Sequence, residues 1–501
     1  MILHSRVSPK YQTPRFLMVG LFVVILFVGL TVGSVAAQQS GTEEWSYETG
    51  FDVSSSPTVV DGTVYVGSID NNLYAVDAKT GQEKWVFETG CCVHSSPTVA
   101  DGTVYVGSGD GNLYAVDAET GEKEWNYTTD ALVVDSSPTV VDGVAYVGGF
   151  NGVVYAVDAE TGQEEWRFQT GGIVESSPTV VDGTVYVGSY DRNLYALDAS
   201  NGDKRWEFGT GNIVGASPTV ADGTVYIGTF DEAATSTPPR MYAVDASEGT
   251  EEWSFETTAS VSSTPTVADG KVYFGENAVL QDNLYALDAS DGTKEWGFEN
   301  SGSVASSPTV ASGTVYVGSG NGNLYALDAE TGQQNWDFQT GGSFPWVSSS
   351  PTVANGIVYV GADNNNLYAI NTDHMKSSAG SRVLQGTLGH HNVFAENGPT
   401  QPGQDQSNLE VTVDSTNSPV AEGEILSVDV TVTNTGDVPD TQYTSLTVGG
   451  TERNSSEVTL TGGGSVTETL EWVTEDGDAG TYTASVQSED DDASTAVTVE
   501  P

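Results

Sequence analysis

Basic residues and cysteine are both scarce in this chain of 501 residues. Lys and Arg together number 16 against 69 Asp and Glu, which gives a formal net charge of −53. Nucleic-acid-binding proteins carry a basic stripe and anionic lipid attracts basic segments, so the composition argues against both kinds of partner. The only two cysteines, Cys91 and Cys92, are adjacent, which is no disulfide framework. The sequence also contains no hydrolase elbow, phosphate-binding loop or zinc signature.

The acidic excess has to be reconciled with folding. A disordered chain of high net charge has few aromatic and β-branched residues, whereas this one has 10 Trp, 22 Tyr and 15 Phe, with Val and Thr throughout. Charge repulsion of this size destabilises a compact state in dilute buffer and is screened in concentrated salt. We therefore expect a folded protein from a salt-loving source such as a halophilic archaeon.

The N-terminus predicts export. A basic start precedes an apolar run over residues 16–32, and small residues at 35–37 provide a cleavage site. No Arg-Arg pair precedes the run and no cysteine closely follows it, which favours a Sec-type route without a lipid anchor. The run is just long enough to span a bilayer. Residues 1–37 are therefore either a cleaved signal peptide or an N-terminal membrane anchor, and both place the rest of the chain at the cell surface or outside the cell.

A repeat of about forty residues fills most of the chain. Each unit divides into four strands: A (SSPTVV), B (TVYVGS), C (LYAVD) and D, which holds a tryptophan, with an Asp-Gly hairpin turn between A and B. This period and pattern are typical of a propeller blade of four strands. The repeated tryptophans are Trp45, Trp85, Trp125, Trp166, Trp206, Trp253, Trp296 and Trp336.

The order of the elements predicts how the ring closes. The repeat region begins with a strand D at Trp45 and ends with strands A, B and C, without a final strand D. The elements match only if residues 42–49 complete the last blade, which leaves no open sheet edge. We therefore predict an all-β fold: an eight-bladed β-propeller over residues 42–373, closed by an N-terminal strand.

Residues 75–85, AVDAKTGQEKW, resemble the tryptophan-docking motif of quinoprotein alcohol dehydrogenases and their non-enzymatic relatives, whose repeat is named after pyrroloquinoline quinone (PQQ). The resemblance covers roughly residues 42–373. It implies that each Trp packs between neighbouring blades while the Asp and a Thr-Gly pair brace a turn, which is a structural role. The eighth unit departs from the motif, with Asn371 and no Trp. The motif aspartates are Asp77, Asp117, Asp158, Asp198, Asp245, Asp288 and Asp328.

The repeat ends before the C-terminal part. Residues 374–408 predict an extension and linker, and their three histidines lack the carboxylate or cysteine spacing of a metal site. From residue 409 to 501, short alternating strands with Gly-rich turns predict an immunoglobulin-like β-sandwich. Its phrase VDVTVTNTGD, residues 428–437, resembles the adhesion-related sandwich domains called CARDB. That resemblance implies adhesion, spacing or surface display, and no catalysis.

Irregularity between units is confined to the B–C and D–A loops, which project from one face of a propeller. Such loops on a uniform scaffold are typical of a working surface. The residue that opens strand A also varies, and three consecutive units have His, Asp and Glu there. The alternative is that these three are solvated pore residues of an acidic protein. The candidate binding face comprises Cys91, Cys92, His94, Asp135, Glu175, Phe344 and Trp346.

Two functions of different classes remain. The first is an exported binding or scaffold protein that engages an envelope or extracellular protein or glycan, as the resemblance to envelope-assembly propellers implies. The second is a PQQ- and calcium-dependent dehydrogenase of alcohols or sugars, because Cys91 and Cys92 resemble the adjacent-cysteine disulfide that holds the quinone in such enzymes. Other units have Gly172 or Asn212 and then Ile at these positions, so Cys also fits as a small apolar residue. The loops are short and no base segment matches, so we favour the first function, with no catalytic residue, metal or cofactor.

Overall fold

The computed structural model describes residues 40–130, 134–230, 237–278, 282–341, 346–372, 409–421, 423–434, 440–448, 451–460, 464–474, 479–487 and 492–500. Every regular element within these ranges is a β-strand, which confirms the predicted all-β class. Within the same ranges, no helix is long and apolar enough to cross a bilayer. The predicted export segment (1–37) and the predicted extension and linker (374–408) lie outside the described residues.

The repeat region contains thirty-two strands in its described part. In chain order they are β1 Glu43–Glu48, β2 Thr58–Val60, β3 Thr63–Gly67, β4 Asn72–Asp77, β5 Glu83–Glu88, β6 Thr98–Ala100, β7 Thr103–Gly107, β8 Asn112–Asp117, β9 Lys123–Thr128, β10 Thr139–Val141, β11 Val144–Gly148, β12 Val153–Asp158, β13 Glu164–Gln169, β14 Thr179–Val181, β15 Thr184–Gly188, β16 Asn193–Asp198, β17 Lys204–Gly209, β18 Thr219–Ala221, β19 Thr224–Gly228, β20 Arg240–Asp245, β21 Glu251–Glu256, β22 Thr266–Ala268, β23 Lys271–Gly275, β24 Asp282–Asp288, β25 Lys294–Glu299, β26 Thr309–Ala311, β27 Thr314–Gly318, β28 Asn323–Asp328, β29 Gln334–Gln339, β30 Thr352–Ala354, β31 Ile357–Ala362 and β32 Asn366–Asn371.

These strands form four-stranded antiparallel sheets, eight of them in the described residues. Seven sheets use four consecutive strands, from β2–β5 (blade 1) to β26–β29 (blade 7). In blade 8, β30, β31 and β32 are joined by β1, whose Ser46 lies opposite Tyr368 and whose Glu48 lies opposite Asn366. The N-terminal strand therefore supplies the outer strand of the last sheet, as the order of the repeated elements predicts.

Asp-Gly turns set the register between the first two strands of a blade. Asp61 and Gly62 both have positive φ, at 48° and 67°, which is the conformation of a two-residue type I′ hairpin. The register that follows places Thr58 opposite Tyr65 and buries all five residues of β3. The strand β3, Thr-Val-Tyr-Val-Gly, is therefore a central strand with both faces covered.

Hydrogen bonds between blades run around the inside of the ring. The amide of Ser56 in blade 1 donates to Oγ of Ser96 in blade 2 over 3.0 Å, and equivalent bonds join later blades. The amide of Ser350 in blade 8 donates to Oγ of Ser56 over 3.0 Å. The first and last blades are therefore direct neighbours.

The docking motif braces each blade against the next. The Trp85 indole packs on Gly121, where an added Cβ would lie 2.7 Å from the ring, and its Nε1 donates to the Ala118 carbonyl over 3.0 Å. Asp117 Oδ1 accepts bonds from the amide and the hydroxyl of Thr120, both 2.7 Å. These donors lower the pKa of Asp117, the hydroxyl contributing most. The same indole-to-carbonyl bond is made by Trp45, Trp125, Trp166, Trp206, Trp253 and Trp296.

The eighth docking site is assembled from both ends of the propeller chain. Trp336 packs against Gly41, where an added Cβ would lie 3.0 Å from the indole. The Gly41 amide donates to the Asn371 carbonyl over 2.8 Å, as the Gly121 amide does to Asp117 over 2.9 Å. Gly41 therefore stands in for the motif glycine that the eighth unit lacks.

The C-terminal strands are β33 Leu409–Thr416, β34 Val420–Ala421, β35 Ile425–Asn434, β36 Asp440–Val448, β37 Thr451–Leu460, β38 Ser465–Val473, β39 Gly480–Gln487 and β40 Asp492–Glu500. They form a three-stranded sheet, β33-β35-β38, and a five-stranded sheet, β34-β40-β39-β36-β37. The alternating pattern of β35 buries Leu426 and Val428, which share one apolar core with Val486 and Val497 of the second sheet. A C-terminal β-sheet region is thus present, and its predicted immunoglobulin-like and CARDB character stays a prediction.

Candidate functional site

The two ends of the ring differ in how much they vary between blades. Because neighbouring strands are antiparallel, the A–B and C–D turns of a blade lie at one end of its sheet, and the B–C and D–A loops lie at the other. The first end repeats nearly the same turns in every blade. We call the second end the variable face. All the predicted binding residues belong to its loops, which include the variable residue before strand A.

In three blades, side chains on the variable face form hydrogen bonds within the blade. The variable residue predicted to open strand A lies four positions before that strand, in the D–A loop, and it meets the residue fifteen positions later, in the B–C loop of the same blade. The hydroxyl donates in each case, and the pairs are Tyr190 to Glu175, Ser262 to Asn277 (3.2 Å) and Ser348 to Asp363 (2.6 Å). Burial, followed by the bond to Glu175, raises the pKa of Tyr190, and burial raises the pKa of Asp363.

The predicted polar trio is adjacent in space but not joined by hydrogen bonds among the described residues. Nδ1 of His94 lies 3.2 Å from Ser54 Oγ. Asp135 Oδ1 is buried without a hydrogen-bond partner within the described part of the chain. Burial raises the pKa of Asp135, the nearby His94 lowers it and Glu175 raises it. The structure therefore places these three groups in one electrostatic neighbourhood, with Glu175 bonded to a tyrosine instead of to the other two.

Cys91 and Cys92 are free thiols, with their sulfur atoms 3.4 Å apart. They pack on Gly109, where an added Cβ would lie 2.8 Å from the Cys92 sulfur. Burial, followed by the hydrogen bond to Cys91, raises the pKa of the Cys92 thiol to about 11. Nearby Asp135 adds to this shift, so the cysteine pair and the polar trio adjoin on the variable face.

Trp346 is the most exposed tryptophan of the described residues, at 57%. Its partner in the prediction, Phe344, lies outside the described residues. The gap between blades 7 and 8 is closed by Trp336 and Gly41, so Trp346 is not needed to fill it. Trp346 instead borders an open cavity of about 530 Å³, together with Asn277, Ser301, Gly302, Ser303, Ala305, Gly320, Val347 and Ser348.

The sequence does not single out the B–C loop residues Tyr190 and Phe230 or the exposed residue Phe51. Tyr190 and Phe230 meet edge to face, 6.4 Å between ring centroids, above Gly215. Phe51, in the D–A loop of blade 1, is 52% exposed. A pattern in the sequence does point to the B–C loop position of Tyr190 and Phe230. The residue after the Ser or Thr at the end of strand B changes from unit to unit, as does the variable residue before strand A.

Among the described residues, the acidic, histidine and cysteine side chains near the cysteine pair do not form a calcium site. Calcium takes 6–8 oxygen ligands, with carboxylates prominent among them. Across the described ranges, no three His, Cys, Asp or Glu side chains converge in an arrangement that could hold a metal ion. The carboxylate of Asp135 contributes to the raised pKa of the Cys92 thiol. We therefore derive no reaction step through a quinone or calcium.

Comparison with solved structures identifies the same fold in proteins of different function. BamB from Moraxella catarrhalis aligns with a TM-score of 0.56 and 18% identity, over 66% of this chain and 99% of that one. The computationally designed Ika8 protein gives 0.57 and 16%, over 67% and 100% of the two chains. A europium-containing methanol dehydrogenase gives 0.56 and 16%, over 66% and 93%. Identities this low show the fold alone.

The sequence comparison is more specific. No curated protein matches the chain at a significant level. A family model described as outer membrane protein assembly factor BamB matches residues 24–137, 131–231 and 209–372, which together span more than half of the 501 residues. The chain therefore belongs to the PQQ-repeat propeller family described as outer membrane protein assembly factor BamB.

Proposed function

We propose that this protein is an exported binding scaffold whose propeller engages a protein or glycan partner of the cell envelope through the variable face. The observation that carries the proposal is the division between the two ends of the ring. Turns at one end repeat from blade to blade, while the loops at the other end present different side chains in each blade, including the exposed aromatic rings of Phe51 and Trp346. Exposed aromatic residues are frequent anchors at interfaces.

The family and the charge support this proposal. Membership of a family described as an assembly factor favours a scaffold over an enzyme. The apolar run at residues 16–32 supports export, and the net charge of −53 supports work in concentrated salt. The C-terminal β-sheet region would space or display the propeller at the cell surface.

The test is capture of partners from native cell envelope in molar salt, with the purified full chain as bait. A Phe51→Ala, Trp346→Ala variant should lose the captured partner, because both rings are exposed on the variable face. The matched control replaces two exposed glutamates of a uniform turn at the opposite end, Glu119→Ala and Glu122→Ala, and should capture normally. A partner lost in the control but retained by the double variant would contradict the proposal.

A second candidate, a PQQ-dependent dehydrogenase, is favoured by one observation. The Cys91 and Cys92 sulfur atoms lie 3.4 Å apart on the variable face, and the family resemblance implies that such a pair holds the quinone. The test supplies PQQ, calcium and an artificial electron acceptor with alcohols or sugars. Turnover above a no-protein control that disappears in a Cys91→Ser, Cys92→Ser variant would establish this function and displace the first.

A further inference from the structure

The cavity beside Trp346 differs from the rest of the surface in its charge. The chain carries 69 acidic residues, yet none of the described side chains that line this cavity is ionisable. Its volume of about 530 Å³ lies in the range of roughly 300–1,000 Å³ typical of small-molecule sites. An anion finds no counter-charge in this lining, and the nearby Asp363 carboxylate is already engaged by the Ser348 hydroxyl, so the site favours an uncharged ligand.

Two closely packed glycines and one small side chain form the inner part of the cavity. A Cβ added to Gly302 would lie 2.3 Å from the Asn321 amide nitrogen, and a Cβ on Gly320 would lie 2.9 Å from Ser303 Oγ. Blade 7 also has Ala305 where blades 2 and 4 have His94 and Glu175. The space that these larger side chains take in other blades is therefore available here.

The polar groups of the cavity include both donors and acceptors. Ser303 Oγ and the Asn277 Nδ2 group make no hydrogen bond to other described residues, while Asn277 Oδ1 accepts a bond from Ser262. Ser348 Oγ donates its hydrogen to Asp363 over 2.6 Å, which leaves the Ser348 oxygen as an acceptor. A ligand that bonds with all of them needs several groups that can both donate and accept, as hydroxyl groups do.

The exposed indole of Trp346 supplies the apolar part of the site. The face of an indole carries negative π-electron density and attracts polarised C–H groups that lie flat against it. A pyranose ring has such an apolar C–H face and a rim of hydroxyl groups. We infer that the cavity formed by Trp346, Asn277, Ser303, Ala305 and Ser348 binds an uncharged sugar residue of a glycan. This inference rests on the proposed binding function and specifies one ligand class of it.

The experiment measures binding to the full chain in molar salt by isothermal titration calorimetry. The ligands are neutral oligosaccharides of glucose, mannose, galactose and N-acetylglucosamine. Glucuronic acid oligomers serve as a charged comparison. We expect at least one neutral series to bind and the charged oligomers not to bind. Trp346→Ala should weaken binding about tenfold or more, as expected for loss of an aromatic anchor. Ala305→Phe should block the site, and its fold should persist because His and Glu occupy the same position in other blades.

Glu119→Ala, Glu122→Ala is the matched control, because these exposed residues lie in a uniform turn at the opposite end of the ring and do not line the cavity. It should leave sugar affinity within about twofold, and melting curves should show all three variants folded. Absence of binding by every neutral series, or binding that survives both Trp346→Ala and Ala305→Phe, overturns the inference. If a captured protein protects Trp346 while no sugar binds, the cavity is a protein site: the sugar inference fails and the scaffold function stands.

Discussion

Replacing Trp296 by Ala tests whether the docking tryptophans hold the blades together. Trp296 in blade 6 is only 8% exposed, and its ring packs against Gly332 of blade 7, where an added Cβ would lie 2.7 Å away. Its Nε1 donates to the Ala329 carbonyl over 3.0 Å. The substitution therefore opens a cavity between two blades and removes one inter-blade hydrogen bond.

The expected loss follows from these contacts. Truncating a buried Trp to Ala costs about 3–5 kcal/mol in other proteins. The Ala329 carbonyl keeps a second donor, the Tyr273 hydroxyl at 3.2 Å, so the lost bond adds no large penalty for an unsatisfied acceptor. We expect a loss of about 4 kcal/mol for Trp296→Ala. For Trp296→Phe, which keeps most of the apolar contact, we expect about 1–2 kcal/mol.

The assay is thermal unfolding in molar salt, followed by calorimetry. Unfolding entropy is about 2.1 cal/mol/K per residue, so a propeller of roughly 330 residues should melt about 6 °C lower after a loss of about 4 kcal/mol. Trp346→Ala is the matched control, because Trp346 is 57% exposed, and it should leave the midpoint unchanged. A Trp296→Ala midpoint within about 1 °C of wild type would refute the structural role of the docking motif.

The ring closure, the turn aspartates, the cysteine pair and the net charge each lead to one further measurement. Deleting residues 42–49 removes β1 and leaves β32 as an open edge, so size-exclusion chromatography should show aggregation; a monomer that melts like the full chain would contradict the closure. The seven motif aspartates have lowered pKa values because hydroxyl and amide donors stabilise their carboxylates. At Asp198 the Ser200 hydroxyl contributes most and the Arg205 guanidinium contributes next, which lowers the pKa to about 2. Their contribution to stability is complete above about pH 5 and is lost as the pH falls towards about 2, so the melting temperature should drop over this window. Asp198→Asn should make this drop smaller. An identical pH profile for the variant would argue against a stabilising role of the Asp198 carboxylate. The thiol of Cys92, with its pKa of about 11, should react slowly with iodoacetamide at about pH 8 and faster towards pH 11, measured by peptide mass spectrometry; rapid labelling of the folded chain at neutral pH would contradict its burial. Because the Debye length shortens from about 10 Å at 0.1 M to about 3 Å at 1 M salt, the net charge of −53 predicts a melting temperature that rises over this range; a flat response would exclude a salt-dependent fold.

The repeat made the propeller predictable because the local sequence of each unit specifies its strands and turns. Alternating residues determine which side of a strand is buried, and an Asp-Gly pair such as Asp61-Gly62 adopts the positive φ angles that its hairpin needs. The pairing of β1 with β32 followed from counting, because one strand D at the start and one missing at the end can match only each other. These are local or combinatorial properties, and neither requires coordinates.

The site was less predictable because it depends on residues brought together from different blades. The residue type of Trp346 makes it a candidate, but its exposure and the cavity beside it become visible only when neighbouring blades are packed, with Ala305 in place of a larger side chain. The bond between Glu175 and Tyr190 joins two loops of one blade. Composition and spacing do not determine such distances. The residues predicted from the sequence are therefore only those that differ from the repeat in their own unit.

The sequence by itself determined the all-β class, the unit of four strands and the strand that closes the ring, because backbone hydrogen bonding and the alternation of side chains follow local patterns that the repeat copies. Only the tertiary structure decided that Gly41 and Asn371 rebuild the eighth docking site, and that an uncharged cavity opens beside Trp346. The physical reason is distance: Gly41 and Asn371 are far apart in the chain and meet only when the ring closes, and the cavity is lined by residues from loops of neighbouring blades.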